Sequence, residues 1–249
     1  MTLLLDLGNT RLKWARMDLD GQLAPVQATP WDALDDDDAL KALCSGIEAG
    51  STVLAASVAG RAREERVARA LQAGGLSAPS WLRSPAAACG VRNAYPEPGN
   101  LGVDRFLGLV AALHAGLAPC VVVSAGTALT LDALAGDGRH LGGLIAPGPR
   151  LMQLSLRSGT AQLPDPGAAP VVDCADNTEA AIASGCWQAA LGLIERFHAR
   201  MTGPLGGRAG LVLTGGDGKA LAAWLPGPVT LQTDAVLHGL AIHACQASA

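Results

Sequence analysis

The chain has 249 residues, 49% hydrophobic and 16% charged, with a formal net charge of −4. That length suits one large domain or two of about 120 residues each, and the acidic balance offers no basic field for nucleic acid or an anionic membrane. No uncharged apolar run nears the ~18 residues of a membrane span, no basic leader precedes Asp6, and six scattered cysteines form no C-x-x-C pair, so a cytoplasmic protein with free thiols, no nucleic acid and no membrane is expected.

In chain order, Leu3–Leu5 predicts a buried strand that ends on Asp6. A tight turn, Gly8-Asn9-Thr10, leads to a second strand over Arg11–Met17. Asp18–Gly21 is a hairpin signal, and a third strand is expected over Gln22–Val26. The acidic run Asp35–Asp38 reads as a solvated helix start or loop without function. Val53–Val58 predicts a strand, and Arg61–Ala73 a helix closed by Gly74 and Gly75. Residues 86–102 are rich in Gly, Pro and Asn and read as a loop. Val103, Phe106, Leu107 and Val110 then fall at i, i+3, i+4 and i+7, the stripe of an amphipathic helix.

The pattern restarts at Cys120–Val123, followed by a Gly126-Thr127 turn and strands over Leu129–Leu134 and Leu141–Ile145. A long helix is expected from Thr178 to Arg200, then a strand at Leu211–Leu213 running into Thr214-Gly215-Gly216-Asp217. The end predicts a short helix, a strand near Val229–Gln232 and a helix near Asp234–Ala244. The restart aligns Asp6 with Ser124 and Gly8 with Gly126, both 118 positions apart, and Gly21 with Gly138, 117 apart. Two copies at half-chain spacing imply duplicated domains facing each other, residues 1–117 and 118–249.

Turns of Gly, Asn and Thr expose backbone N–H groups and hydroxyls and admit a ligand close to the chain. A matched pair could clamp a polyphosphate. The carboxylate of Asp6 could then hold Mg²⁺, directly or through water. Lys13, on the strand leaving the first turn, could reach a phosphate. A plain hairpin with a satisfied Asp is the alternative for either turn alone. Gly218-Lys219 is followed by Ala220, so no P-loop is present, and no G-x-G-x-x-G occurs either.

The duplicated strand–turn pattern resembles the actin/Hsp70/sugar-kinase superfamily. That implies an α/β fold of two ribonuclease-H-like domains, with mixed sheets flanked by helices. More narrowly, "DLGNTRLK", "YPEPGNLGVDR", "SAGTALTLD", "GGLIAPG", "NTEAAIASG" and "VLTGGDG" are similar in order and spacing to the type III pantothenate kinases, over nearly the whole chain. The resemblance implies ATP-dependent phosphorylation of pantothenate, the first step of coenzyme A synthesis, by a homodimer. It makes Asp104 the general base. Asp6, Gly8, Asn9, Thr10, Lys13, Gly126, Thr127, Gly215 and Gly216 are the ATP and phosphate contacts it implies, with Mg²⁺ at Asp6. Tyr95, Gly102, Val103, Arg105 and Thr178 are the implied substrate contacts.

Bland readings stand beside these. Asp104 suits a helix N-terminus, Arg105 a surface, Tyr95 a Pro-rich loop, and Thr178 an N-cap. Ala181, Gly185, Ala189 and Gly192 form a small-residue seam suited to a dimer contact or to internal packing. Ser124 departs from the family, which commonly places Asp there to hold a monovalent cation, so K⁺ or NH₄⁺ dependence is in doubt. Asp132 could assist a metal, or be a structural strand residue. Two other readings remain: a kinase for another small hydroxy acid or sugar, and a non-catalytic nucleotide-binding transcriptional regulator.

Overall fold

The computed structural model describes residues 1–34, 40, 42–48, 50–160 and 162–247, so the acidic run Asp35–Asp38 lies outside the described residues. The chain divides into two units, Met1–Ala115 with Asp234–Ala249, and Gly116–Thr233.

The first unit carries β1 (Thr2–Leu7), β2 (Arg11–Met17), β3 (Gln27–Pro30), β4 (Thr52–Ser57) and β5 (Ser80–Leu82) in the order β3-β2-β1-β4-β5. β1 pairs antiparallel with β2 and parallel with β4. Side chains alternate between faces along a strand. Leu3, Leu5 and Leu7 therefore join Leu12, Val53, Val67 and Leu71 in one core, under the helix Arg61–Ala73. Leu4, Ala15, Met17 and Ala56 face the other way. They pack with Val103 and Leu107 of the helix Val103–His114 and with Leu237, Leu240 and Ala241 of the helix Ala235–Ala247. The expected loop 86–102 holds a small hairpin, β6 (Ala87–Ala88) with β7 (Val91–Arg92), and a 3-10 turn at Pro98–Asn100.

The second unit repeats this topology. β8 (Cys120–Ala125), β9 (Ala128–Leu134), β10 (His140–Pro147), β11 (Gly210–Thr214) and β12 (Thr230–Leu231) run in the order β10-β9-β8-β11-β12, with the same parallel and antiparallel senses. One face buries Val121, Val123, Leu129, Leu131 and Leu213 against Ala190, Leu191 and Ile194 of the long helix Thr178–Thr202. A helix over Pro149–Gly159, with no counterpart among the expected elements, packs beside it.

Two expectations need correction. The third strand lies at Gln27–Pro30 rather than Gln22–Val26. Pro25 has no N–H to give a ladder, so Leu23 makes only an isolated bridge to Met17 and the pairing begins after the proline. The expected break after residue 117 falls close to where the chain leaves the first unit, but residues 234 onward return to it. The apolar stripe of Leu237, Leu240 and Ala241 belongs to the core over β1, and burying it there outweighs sequence proximity.

Helix Ala235–Ala247 approaches helix Val103–His114 through Gly239. A Cβ there would collide with the carbonyl oxygen of Leu107 and lie 2.8 Å from its carbonyl carbon. Backbone cannot yield as a side-chain tip can. Gly239→Ala should therefore destabilise the protein by roughly 1–3 kcal/mol, the usual range for overpacking. Thermal denaturation checks this, and an unchanged melting temperature would mean that the helices are not so closely apposed.

Candidate active site

Asp6, the penultimate residue of β1, lies opposite Lys13 of β2, and both point to the face covered by helices Val103–His114 and Ala235–Ala247. Asp104 lies in the first turn of one of these helices, and Asp234 immediately precedes the other. Three carboxylates and one ammonium thus share one end of one sheet face. Asp6 is only partly exposed, and its pKa is pushed up to about 7. Burial is the largest cause. The charges of Asp104 and Asp234 add to it, and that of Lys13 opposes it. Lys13 Nζ donates to Asp234 Oδ1 at 2.7 Å. Asp104 Oδ1 accepts from the N–H of Arg105 at 2.9 Å. A Cβ on Gly102 would come within 2.6 Å of that same oxygen, so the glycine leaves room for the carboxylate.

The turn between β1 and β2 is braced from outside. Gly8 N–H donates to Arg11 O at 3.1 Å and closes it. Trp31 Nε1 donates to Gly8 O at 2.8 Å, Arg63 to Asn9 O at 2.7 Å, and Trp31 N–H to Thr10 O at 3.2 Å. The Arg63 guanidinium also lies 4.8 Å from the centre of the Trp31 ring. All three turn carbonyls are held, which fixes the turn while Asn9 and Thr10 stay exposed. An anion needs such a surface, with acceptors occupied and donors presented.

Arg105, the expected substrate contact, is buried rather than a surface arginine, and donates to the hydroxyl of Tyr95 at 3.0 Å. Its guanidinium also lies 5.7 Å from the Tyr95 ring centre. Tyr95 is half-buried, and Val103 is buried in the helix's first turn beside Asp104.

In the second unit Gly126 N–H donates to Ala128 O at 3.0 Å, closing a turn one residue shorter than its counterpart. Thr127 O accepts from Gly148 N–H at 2.9 Å, and Ala125 O from Asp217 N–H at 3.1 Å. Gly215 has φ +86°, and a Cβ on it would strike Ala125 O. A Cβ on Gly148 would strike Gly126 O. Gly216 is exposed beside it. Backbone amides therefore do here what Trp31 and Arg63 do in the first unit. Ser124 stands in register between Thr130 and Thr214, a row of three hydroxyls. Asp132 is buried and bonded to His140 Nε2 at 2.9 Å. Thr178 is exposed, and the cap expected of it belongs to Asn177, whose side chain accepts from Ala180 N–H at 2.9 Å.

A family model for type III pantothenate kinase matches residues 2–200. The chain belongs to the type III pantothenate kinase family. A member from Thiobacillus denitrificans is 44% identical over 219 residues, 88% of this chain and 86% of that protein. One from Laribacter hongkongensis is 41% identical over 242 residues, 97% of each. Among solved structures, a chain assigned to the Baf family of transcriptional activators, from Campylobacter jejuni, shares the fold with a TM-score of 0.63. It is 19% identical, and the match covers 99% of this chain and 100% of that one. A chain assigned as a 2-dehydro-3-deoxygalactonokinase from Sinorhizobium meliloti matches with a TM-score of 0.58 and 17% identity, over 99% of each chain. At these identities the two structures show a shared fold and nothing finer.

Trp31, Arg63 and Asp234 were not among the expected site residues. Asp234 lies 221 positions from its partner, so no local pattern reports it. Trp31 follows no predicted element, and nothing in its spacing points to Gly8.

The raised pKa of Asp6 has a consequence for stability. Its folded-state value stands above its unfolded value of 3.8, so between those values the folded protein holds a proton that the unfolded chain has lost. This contribution is fully present below the unfolded value and disappears as pH rises through about 7. Urea denaturation of the metal-free protein should therefore show stability falling across that interval. Asp6→Asn should flatten this part of the profile. An identical slope in the variant would place the titration elsewhere.

Proposed function

We propose that the protein transfers the γ-phosphoryl group of ATP to the hydroxyl of pantothenate, giving 4'-phosphopantothenate, the entry step of coenzyme A synthesis. The observation that carries this reading is the Asp6–Asp104 pair: one carboxylate on a sheet face and the other at the start of a helix that covers it, close enough for one to raise the pKa of the other. Phosphoryl transfer needs little covalent chemistry from a protein. It needs a hydroxyl held in line, a proton acceptor for that hydroxyl, and cationic charge around the phosphates.

Asp104 is the proton acceptor in this reading. Its Oδ1 bond to the helix N–H orients the carboxylate, and Gly102 keeps the space beside it open. Arg105, steadied by Tyr95, is the anion contact for the substrate carboxylate, and Val103 and Thr178 are further substrate contacts. Gly8, Asn9 and Thr10 form the first unit's phosphate turn, with Lys13 beside it. Gly126, Thr127, Gly215 and Gly216 are the second unit's nucleotide contacts.

Asp6 fits a magnesium site. It is a partly buried carboxylate whose negative charge is undercompensated by its surroundings. Among the described residues no group of three or more His, Cys, Asp or Glu is set to hold a metal. That suits an ion held by one carboxylate, waters and substrate phosphates. Bound there, Mg²⁺ would neutralise charge on the phosphates.

A homodimer fits the flank of the second unit. Ala181, Gly185, Ala189 and Gly192 are all exposed, and a Cβ at either glycine would meet open space, so the seam is not internal packing. Leu144, Ile145, Leu151 and Leu154 are exposed on β10 and the helix Pro149–Gly159. Contiguous exposed apolar surface of this kind marks an interaction face. Light scattering that gives a monomer at assay concentration would remove this element. Among the described residues no helix is long and apolar enough to cross a membrane, which is compatible with the cytoplasmic location proposed here.

Asp104→Asn keeps the shape but cannot take a proton. Turnover with pantothenate and ATP in a coupled assay should fall by roughly 10²–10⁴-fold, with nucleotide binding nearly unchanged. Wild-type turnover in the variant would remove Asp104 from the chemistry, and a wild-type protein inactive on pantothenate would remove the substrate.

The hydroxyl row Ser124–Thr130–Thr214 generates a second prediction. A carboxylate about 4 Å from a monovalent cation attracts it by up to ~4 kcal/mol at an effective dielectric near 20, before desolvation. A serine oxygen offers only a dipole, and Asp132 is engaged by His140. K⁺ or NH₄⁺ should therefore stimulate the kinase little compared with tetramethylammonium at equal ionic strength. Near-complete dependence on K⁺ would overturn this.

A further inference from the structure

Lys13 faces a choice of carboxylates. Its cross-strand neighbour is Asp6, directly opposite in the β1–β2 ladder and on the same face. In an antiparallel pair such neighbours lie about 5 Å apart at Cβ, within easy reach of an ammonium on a four-carbon stem. The ammonium nevertheless binds Asp234, at 2.7 Å, with both side chains about three-quarters shielded. Asp234 arrives from the far end of the sequence, as the first residue of the segment that returns to this unit. Its backbone is left-handed, with φ +51°, one of two such non-glycine residues among those described. Its carbonyl accepts from His238 N–H at 3.1 Å and opens the last helix. A residue held in a sparsely populated conformation, with its side chain committed to one ion pair, suggests a role beyond chain direction.

We propose that Asp234 is a positioning residue of the kinase site: it holds the Lys13 ammonium off Asp6, leaving that carboxylate free for the metal and the ammonium fixed beside the phosphate turn. The inference rests on the kinase reading above. Without Asp234 the nearest acid for Lys13 is Asp6, and a Lys13–Asp6 pair would compete with the metal for the same oxygens.

Asp234→Asn is the suitable variant, because Asn has the same shape and also tolerates the left-handed region. Binding of Mg²⁺ with a non-hydrolysable ATP analogue is measured by calorimetry, and the Mg²⁺ dependence of turnover is measured in parallel. In Asp234→Asn both the dissociation constant and the half-saturating Mg²⁺ should rise roughly 10-fold, the coupling expected of residues in one charge network. kcat at saturating Mg²⁺ should change much less, and the melting temperature should hold. In a Lys13→Met background the same substitution should leave Mg²⁺ affinity unchanged, because no ammonium remains to compete. That double variant also removes both charges together, so it stays informative if Asp234→Asn alone fails to fold. Additive effects in the two backgrounds, or a lowered melting temperature with unaltered Mg²⁺ affinity, would reduce Asp234 to a structural anchor. Inactivity of the wild-type protein on pantothenate would instead defeat the kinase reading, while the calorimetric comparison would still test the Lys13–Asp234 assignment.

Discussion

The constraint on which the first unit depends is an excess of negative charge at one end of one sheet face. Asp6, Asp104 and Asp234 converge there, and Lys13 is the cation bound among them. A partly buried carboxylate is stable only if it is paired, protonated or matched to a ligand. Lys13 is committed to Asp234, which leaves Asp6 to the second or third of these. The rest of the unit tolerates the arrangement because the deeper part of the same face is apolar, with Leu4, Leu107, Leu237 and Leu240 fully buried. The core fixes both helices, and their N-termini deliver the acids.

The two units show what such a scaffold can vary. β1 maps onto β8, and β2 onto β9, residue by residue. The offset drops by one inside the intervening turn, where Gly8-Asn9-Thr10 shortens to Gly126-Thr127. Both turns close through the same glycine amide, bonded to the first carbonyl of the next strand. What differs is the charge beside them. Where the first unit has Asp6 opposite Lys13, the second has Ser124 opposite Thr130, with Thr214 completing the row. The bracing differs too. An indole and a guanidinium hold the first turn, whereas backbone amides and two close-approaching glycines hold the second. One geometry thus serves a charged site and a neutral one.

Much of this was legible in the sequence, for a physical reason. β1, β8 and β9 are short, mostly apolar runs and β2 an alternating one, each bounded by a Gly-containing turn, and local pattern suffices to find such elements. The helix Arg61–Ala73 carries its own stripe and its own Gly stop. The third strand was misplaced because Pro25 breaks a pattern that propensity alone would continue. The helix Pro149–Gly159 was not foreseen. It follows Pro147-Gly148, which reads as a turn, and its leucines stay exposed, so it lacks the buried stripe that identifies a helix. Asp104 and Asp6 could be picked out because each ends or begins a predictable element. Asp234 could not, because its meaning comes from Lys13, and only the tertiary fold brings the two together.

The same acids bear on whether this is a catalyst or only a nucleotide-binding protein. A binder needs the two turns, their bracing, and Lys13. It has no use for a carboxylate at the start of the Val103–His114 helix aimed at the face that already holds Asp6. Two like charges so placed raise the free energy of the folded state at neutral pH, and the charge of Asp104 adds to the upward push that burial gives Asp6. For Asp104 as a proton acceptor, the same proximity has a purpose. It would set a negative group beside the place where a metal would bring compensating positive charge and the substrate a hydroxyl to deprotonate. Gly102 sharpens the argument, since a side chain there would crowd Asp104 Oδ1. The fold bears a standing electrostatic cost at Asp6 and keeps space open at Gly102, and both support the proposal of Asp104 as the general base.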